Sequence, residues 1–303
     1  MEAGGMNVIY EGKDITDSVE VTHCVHDQYA EDHADTLTIQ FQDRDKLWDQ
    51  WQPKIDDTIQ VRDGNADTGK LYVRQVSPLP GFYEIRASSM PLSMKNVMAR
   101  SWEEITKLQL LDTIASDAGI SVKTYGVKDS KWKYLKQERE SDVNLLMRLS
   151  DLEGDSFLFY DNTLVYYNIR YMESLSTDKT IDVPADGNYK YFVEPAYCSL
   201  TLTNGASRAT ATDDGAIKFE RQLKLNILSP ALEKSYAKNY LKKLNRKINH
   251  GSFYTQPVTD GYAAGSVAKI RTDGANSFNE KIFITHVRND FLNQKTKIFF
   301  RKV

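Results

Sequence analysis

The residue types best suited to chemistry lie close together near the N-terminus. His23, Cys24 and His26, with His33 shortly after them, could bind zinc or perform Cys–His nucleophilic catalysis. Successive side chains on a strand point to opposite faces, so His23 faces away from Cys24 and His26. Two ligands are too few for a closed zinc site, and no third residue that would orient a Cys–His pair is identifiable. We therefore expect no metal and no cofactor.

Four acidic residues lie in the same region, between two predicted strands. Asp27, Glu31, Asp32 and Asp35 could supply oxygen ligands, but a calcium loop usually also has a glycine at its turn, and this segment has none. We predict a solvated polar loop. The chain contains no H-E-x-x-H, G-x-S-x-G or phosphate-binding-loop motif. These observations predict a protein that is not an enzyme.

The composition argues against several other classes of protein. Charged residues make up 27% of the 303 residues, yet the net charge is only −3, which argues against a general nucleic-acid binder. An aromatic content of 11% suits β-rich packing and large protein interfaces. No apolar run is long enough for a membrane span, and no secretory signal is evident. We expect a protein made in the cytosol, with Cys24 and Cys198 too few for a disulfide framework.

The distribution of strand and helix patterns divides the chain into three parts. Residues 1–97 contain many short alternating segments separated by turns, which predicts a small barrel or sandwich. Residues 98–186 combine two helices with a hairpin and form an α+β module. Residues 187–303 return to strands, with one long helix inserted. The predicted fold class is α+β, mainly β.

The first helix of the middle part is predicted from its capping pattern. Ser101 and Glu104 have the spacing of a capping box, which predicts a helix that begins at Trp102 and ends near Ala118. Gly119 follows as the terminating residue.

A second helix and a hairpin are predicted from residues 142–167. Ser141 is a suitable N-cap, an apolar stripe continues to Leu152, and Gly154 ends the helix. Residues 157–160 and 164–167 then flank a polar Asp-Asn turn, which favours a β-hairpin.

The long helix of the third part is predicted from Ser229, an N-cap, and Pro230, a favoured first residue, to a stop at Gly251. Its predicted buried stripe comprises Leu232, Tyr236, Ala237, Tyr240, Leu241, Leu244 and Ile248. Its predicted exposed basic face comprises Lys234, Lys238, Lys242, Lys243, Arg246 and Lys247. A solvated face, or a contact with an acidic neighbour, explains these charges better than nucleic-acid binding.

Residues 137–167, QERESDVNLLMRLSDLEGDSFLFYDNTLVYY, resemble the passage Q-x-x-E-S-D … L-x-R-L … G … D-x-x-L-V-Y of the phage late-control-D family. Further passages in the same order along the chain are similar to that family, namely residues 43–64, 69–76, 264–270 and 281–291. His286 does not coincide with the family's usual histidine, so no function is assigned to it. Members of this family form the baseplate hub of contractile tails and are related to the hub part of VgrG.

The resemblance implies a structural function in a tail baseplate of a phage or tailocin-like particle, assembled in the host cytoplasm. The expected form is a homotrimer that joins the sixfold tail tube, or a tube initiator protein, to a threefold spike protein. Tape measure and baseplate wedge proteins are further expected partners. Residues 1–97 and 187–303 would each form a tube-like β-barrel domain, and residues 98–186 would lie between them as a small module.

Six aromatic or proline residues are expected to hold this architecture together. Trp48, Trp51 and Pro53 would fix a corner of the first barrel. In the middle module, Phe157, Phe159 and Tyr166 would pack the core of the hairpin. These are structural positions rather than an active site.

Two alternatives remain open. The first is the hub of a type VI or non-contractile tail. The second is a cell-wall-binding or hydrolytic tail component, because the middle part could be a LysM-like module and large phage tail proteins often carry lysozymes or peptidases.

Overall fold

The computed structural model describes residues 5–204, 207–222, 230–272 and 280–303. Strands predominate, and the fold is α+β, mainly β, as the sequence predicts. The first part contains strands β1 (Asn7–Tyr10), β2 (Lys13–Asp14), β3 (Val21–Tyr29), β4 (His33–Ala34), β5 (Thr36–Gln42), β6 (Thr58–Asp63), β7 (Ala66–Asp67), β8 (Leu71–Leu79) and β9 (Phe82–Ser88), with helix α1 (Leu47–Trp51). Short 3-10 helices cover Thr16–Ser18 and Leu92–Lys95.

The rest of the chain mixes helices with strands. The middle part contains β10 (Val97–Thr106), α2 (Lys107–Asp117), β11 (Ser121–Tyr125), β12 (Lys131–Ser141), α3 (Asp142–Glu153), β13 (Asp155–Tyr160), β14 (Thr163–Asn168), α4 (Ile169–Ser174) and β15 (Thr180–Val183). The last part contains β16 (Lys190–Val193), β17 (Tyr197–Asn204), β18 (Ser207–Thr212), β19 (Ile217–Gln222), α5 (Pro230–Asn245), β20 (Asn249–Thr255), a 3-10 helix (Val258–Asp260), β21 (Val267–Thr272), β22 (Lys281–Asp290) and β23 (Lys295–Lys302).

One 14-stranded sheet joins the two ends of the chain. Its main order is β16-β20-β23-β22-β3-β5-β9-β8-β6-β1-β2, with β7, β15 and β21 as branches. The antiparallel ladder between β22 and β3, in which His286 lies opposite Tyr29, connects strands of the first and third parts. No ladder within the described ranges closes this sheet into a ring. The strands assigned to the two predicted barrels therefore belong to one continuous sheet. That each part closes into a barrel of its own stays a prediction.

Three smaller sheets surround the helices. Strands β10 and β12 form a two-stranded ribbon, and β11, β14, β13 and β4 form a four-stranded sheet. The third sheet has the order β18-β17-β19. Strand β4 comes from the first part of the chain, and it pairs in parallel with β13 of the middle part. The middle module is thus attached to the first part by backbone hydrogen bonds.

The hydrophobic cores do not follow the three sequence parts. The largest core contains side chains from α2, α3 and the β13–β14 hairpin, together with side chains from β17, β18 and α5. Two further cores lie on the large sheet, one under the strands of the first part and one under β20–β23. The apolar side chains that β17, β18 and α5 contribute to this core are therefore buried against the middle module. The division at residues 97 and 187 remains a prediction.

The predicted helix from Trp102 to Ala118 is wrong in its first five residues. Residues up to Thr106 belong to β10, which pairs with β12, and helix α2 begins only at Lys107. The true capping box is formed by Thr106 and Gln109. Two capping patterns overlap in this sequence, and the pairing of β10 with β12 decides between them because it satisfies the backbone of the preceding residues.

The second helix and the hairpin are confirmed. Ser141 caps α3 by accepting a hydrogen bond from the backbone N–H of Asn144, and Gly154 ends the helix at φ 73°. Strands β13 and β14 pair through a two-residue turn in which Asp161 and Asn162 have φ values of 44° and 58°. Both values are positive, as a type I′ hairpin turn requires.

The long helix is confirmed in position but not in its end or in its exposed face. Helix α5 ends at Asn245 rather than at Gly251, which lies in β20. A Cβ at Gly251 would lie 2.4 Å from the carbonyl oxygen of Lys190, so close strand pairing explains this glycine. Ser229 and the side chain of Leu232 lie outside the described residues.

Candidate functional site

Lys243 is the centre of a buried ionic junction between all three parts of the chain. Its Nζ lies 2.6 Å from Asp32 Oδ2 and 3.0 Å from Asp151 Oδ1, and its side chain is only 4% exposed. Asp32 follows β3, Asp151 lies on α3 and Lys243 lies on α5. Burial opposes the charged form of Lys243, but the two carboxylates outweigh this and raise its pKa. The prediction that Lys243 belongs to an exposed basic face is wrong.

Asp32 is held in place by several hydrogen bonds. The hydroxyls of Ser156 and Ser150 donate to its Oδ1 at 2.9 and 3.3 Å, and its backbone N–H donates to the carbonyl of Phe157 at 2.9 Å. Its φ of 56° is one that aspartate tolerates better than most residues. A solvated loop was predicted here, but Asp32 is bonded to the middle module and Asp35 is fully buried. That prediction is therefore wrong for these two residues.

A second ionic cluster lies next to the first one. Arg301 Nη2 lies 3.0 Å from Glu31 and 3.2 Å from Glu173, and Arg246 Nε lies 3.1 Å from Glu173. The guanidinium of Arg301 also lies over the ring of Phe283, 4.1 Å from its centroid. Because Glu31 and Asp32 are adjacent, one turn after β3 contacts both clusters. These contacts connect α4, the residue that follows α5, and β23.

A third cluster connects α5 to the middle module. Lys107 Nζ lies 2.6 Å from Asp155 and 3.1 Å from Glu153. The hydroxyl of Tyr236, on α5, donates to Glu153 at 2.9 Å and accepts from Trp132 Nε1 at 3.1 Å. Burial raises the pKa of Asp155, although Lys107 favours its ionised form. Such a connected polar network fixes one arrangement of its members.

The residues considered for metal or thiol chemistry are dispersed by the fold. His23 is exposed, whereas Cys24 and His26 are buried on the other face of β3, as the alternation predicts. Burial raises the pKa of the Cys24 thiol and lowers the pKa of His26 to about 4. The Nδ1 of His33 lies 2.6 Å from the carbonyl of Glu31. In the described part of the chain, no three His, Cys, Asp or Glu residues are grouped to hold a metal ion.

The tryptophans of α1 link the surface to the first core. Trp48 is buried and stacks on Phe41 and Tyr83, with ring centroids 4.4 and 5.3 Å apart. Trp51 packs 4.7 Å from Trp48 but remains 43% exposed, and Pro53 is buried. The structure thus packs Trp48 against Trp51, and the role of these residues and Pro53 in fixing a corner stays a prediction.

The predicted hairpin residues lie together in the largest core. Phe157, Phe159 and Tyr166 are all buried. The ring centroids of Phe157 and Tyr166 lie 6.3 Å apart across the hairpin, and those of Phe157 and Phe159 lie 5.8 Å apart. These rings form the contact between the hairpin and the helices of the module.

Comparisons with known proteins bear on the whole fold. No protein-family profile matches the chain, and no characterised protein sequence matches it significantly. A 43 kDa tail protein of prophage MuSo2 from Shewanella oneidensis has a similar structure, with a TM-score of 0.71, 13% identity, and coverage of 98% of this chain and 96% of that one. A tail protein from Neisseria meningitidis MC58 matches with a TM-score of 0.74, 12% identity and the same coverage. The chain has the fold of these tail proteins.

A type VI secretion component has the same fold at lower similarity. The c3393 protein of E. coli, described as structurally similar to T4 bacteriophage tail proteins gp27 and gp5, matches with a TM-score of 0.62 and 13% identity. The alignment covers 94% of this chain and 74% of c3393. Identities this low show a shared fold only, so the late-control-D family stays a resemblance.

Sequence reasoning missed the ionic junction, although one signal was present. Lys243 lies seven residues after Tyr236 and three after Tyr240, which places it on the buried stripe of α5. Its partner Asp32 is distant in sequence and gave no signal.

Among helices in the described ranges, none is long and apolar enough to span a membrane.

Proposed function

We propose that this protein is a structural baseplate hub of a contractile tail or tail-like injection particle. Three copies would form a ring that joins the sixfold tail tube to a threefold spike. The observation that carries the proposal is the structural match to two tail proteins along 98% of this chain and 96% of theirs. The match to a type VI component related in structure to gp27 and gp5 also supports it.

The continuous sheet suits a protein that transmits force. Strands of the first and third parts meet through the β3–β22 ladder, so displacement of one part displaces the other. The buried junction of Lys243, Asp32 and Asp151 holds the middle module and α5 against this sheet. Two tube-like domains in each of three chains would supply six similar positions for the tube.

The predicted structural residues have defined tasks in this proposal. Trp48, Trp51 and Pro53 would stiffen the corner of the first part, because a stacked cluster of large rings resists rearrangement. Phe157, Phe159 and Tyr166 would hold the hairpin of the middle module in place.

We also propose that the hub has no enzymatic activity. A catalytic thiol needs a lowered pKa and access to its substrate, whereas Cys24 is buried in an apolar core that raises its pKa. The proposed partners are a second and third copy of the chain, a spike protein and a tube or tube initiator protein. Tape measure and wedge proteins would be further partners, and the particle would be assembled in the host cytoplasm.

A type VI hub is the second candidate. The match to c3393 favours it, because that protein is a type VI component and the match covers 94% of this chain. The two candidates predict the same ring and differ in the particle that contains it.

The oligomeric state tests the proposal. Light scattering of the purified protein, alone and with a candidate spike protein, should show three copies of the chain in at least one condition. Three copies weigh about 104 kDa, to which the mass of the spike is added in the complex. A strict monomer in both conditions would contradict the hub. A turbidity assay on purified cell wall should show no clearing, and clearing would support the hydrolytic alternative.

A further inference from the structure

A cavity of about 350 Å³ lies beside the ionic junction and has no part in the proposed hub function. It opens on the large sheet where β20, β23, β22 and β3 are neighbours. Its lining includes Tyr29, His33, His250, His286, Phe299 and Arg301. Three of the five histidines of the chain are therefore found in one cavity. Its volume lies at the lower end of the range for small-molecule sites.

Arg301 is ion-paired, yet its donors make no hydrogen bond with an acceptor in the described part of the chain. The residue is 1% exposed, and its Nε, Nη1 and Nη2 make no hydrogen bond with the described residues. Glu31 and Glu173 lie 3.0 and 3.2 Å from Nη2 but do not have the geometry of a hydrogen bond. Buried donors are normally paired, and an unpaired one costs about 1–3 kcal/mol. A ligand with acceptor oxygens would satisfy this group.

Two imidazoles supply hydrogen-bond acceptors. His33 Nδ1 lies 2.6 Å from the carbonyl of Glu31, and His250 Nδ1 lies 3.0 Å from the carbonyl of Lys247. In a neutral imidazole, these contacts place the proton on Nδ1 and leave Nε2 as an acceptor. Glu194, on the rim 4.0 Å from His250 Nε2, is a further acceptor. The cavity therefore requires a ligand that both donates and accepts.

Aromatic rings form the apolar surface of the cavity and its rim. Tyr29, His286 and Phe299 stack in a ladder across three strands, with centroid distances of 4.4 and 4.5 Å. On β16, Phe192 stacks on His250 at 5.4 Å and is 49% exposed. An exposed ring beside the cavity can cover one flat apolar face of a ligand.

The formal charges around the cavity cancel. Arg301, Arg246 and Lys247 are balanced by three carboxylates, those of Glu31, Glu173 and Glu194. A site for phosphate or another anion would have an excess of positive charge. The ligand that fits this balance is uncharged.

We propose that this cavity binds a neutral oligosaccharide. Each sugar hydroxyl both donates and accepts, which matches the unpaired donors of Arg301 and the free Nε2 atoms of His33 and His250. The apolar C–H face of a sugar ring packs on an exposed aromatic ring such as Phe192. This site would bind a carbohydrate surface whether or not the protein is a hub.

Calorimetry with three neutral tetrasaccharides tests the proposal on the full chain. The probes are β-1,4-linked N-acetylglucosamine, cellotetraose and maltotetraose, and at least one should bind saturably. Phe192→Ala should weaken that binding about tenfold or more, because it removes the exposed ring. Phe82→Ala removes a ring that is 38% exposed on another strand and should leave binding unchanged. Binding should also be insensitive to salt, because the ligand is uncharged.

Several results would overturn the proposal. Absence of saturable binding for all three sugars up to roughly 10 mM would do so, since that excludes affinities of biological use. Equal weakening by Phe82→Ala and Phe192→Ala, or loss of binding in high salt, would also contradict it. If Phe192→Ala fails to fold, Glu194→Gln, at an exposed position on the rim, replaces it and should weaken the same sugar. None of these results depends on whether the protein forms a trimer.

Discussion

Lys243 Nζ lies 2.6 Å from Asp32 Oδ2, although 211 positions separate the two residues in the chain. Both side chains are mostly withdrawn from solvent, and Asp151 completes the cluster. The contact fixes α5 against the turn that follows β3. This buried amine therefore adds to the pairing of β4 with β13 in holding the middle module against the large sheet.

The first prediction concerns this amine. Lys243→Ala should lower the free energy of unfolding by about 3 kcal/mol or more, because it leaves the carboxylate of Asp32 without its cation. Asp151 keeps Arg221 as a partner, 2.9 Å away. Lys238→Ala, on the exposed side of the same helix, should change it by less than about 0.5 kcal/mol. Urea denaturation monitored by circular dichroism measures the free energy of unfolding of both variants. Equal effects of the two substitutions would show that the junction does not stabilise the fold.

The second prediction separates the two tryptophans of α1. Trp48→Ala should cost about 3–5 kcal/mol, since it removes a buried ring that stacks on Phe41 and Tyr83. Trp51→Ala should cost about 1 kcal/mol, because that ring is already half exposed. Thermal unfolding monitored by circular dichroism gives the order of the two. A larger loss for Trp51→Ala would refute the assigned packing.

The third prediction concerns the stability of the fold at acidic pH. Burial lowers the pKa of His26 to about 4, so its neutral form stabilises the fold above its ordinary pKa of 6.5. This contribution, about 3 kcal/mol, should be lost as pH falls from 6.5 to about 4. The raised pKa of Asp35, 4.0 Å away, acts in the opposite sense, because protonation relieves its burial.

A comparison of variants isolates the contribution of His26. His26→Gln should flatten the dependence of the unfolding free energy on pH between 6.5 and 4, relative to the unmodified protein. His23→Gln is the control, because His23 is exposed on the same strand. An unchanged slope in His26→Gln would mean that this histidine is not held neutral by burial.

The fourth prediction is that the fold needs no metal. The described residues contain no group of three suitable ligands, and Cys24 and His26 face away from His23. A chelator should leave the melting temperature unchanged. A marked fall that zinc restores would show that the segment from His23 to His33 binds a metal.

Local sequence patterns predicted the structure correctly where nearby residues determine the conformation of the chain. Ser141, Gly154 and the Asp-Asn turn gave α3 and the hairpin correctly, because caps and turns depend on nearby residues. The start of α2 was not decided locally. Ser101 with Glu104 and Thr106 with Gln109 are equally good patterns, and only the pairing of β10 with β12 selects the second.

The candidate site was less predictable than the fold. Glu31 and Asp32 look like part of a solvated loop because their partners lie on β23, α5 and the hairpin, far away in sequence. The ladder between β3 and β22 is likewise a long-range feature that no periodicity reveals. Composition and spacing indicate which side chains prefer burial. They do not indicate which carboxylate, distant in sequence, will pair with a given lysine.

The central claim is a threefold ring with six tube-like positions, and cryo-electron microscopy of the purified protein with its spike tests it most directly. The account predicts three copies around a channel, with residues 1–97 and the strands of 187–303 superposable and alternating around the face that meets the tube. The middle module should lie outside the ring. A particle without threefold symmetry, or a ring whose two strand-rich parts cannot be superposed, would contradict the claim.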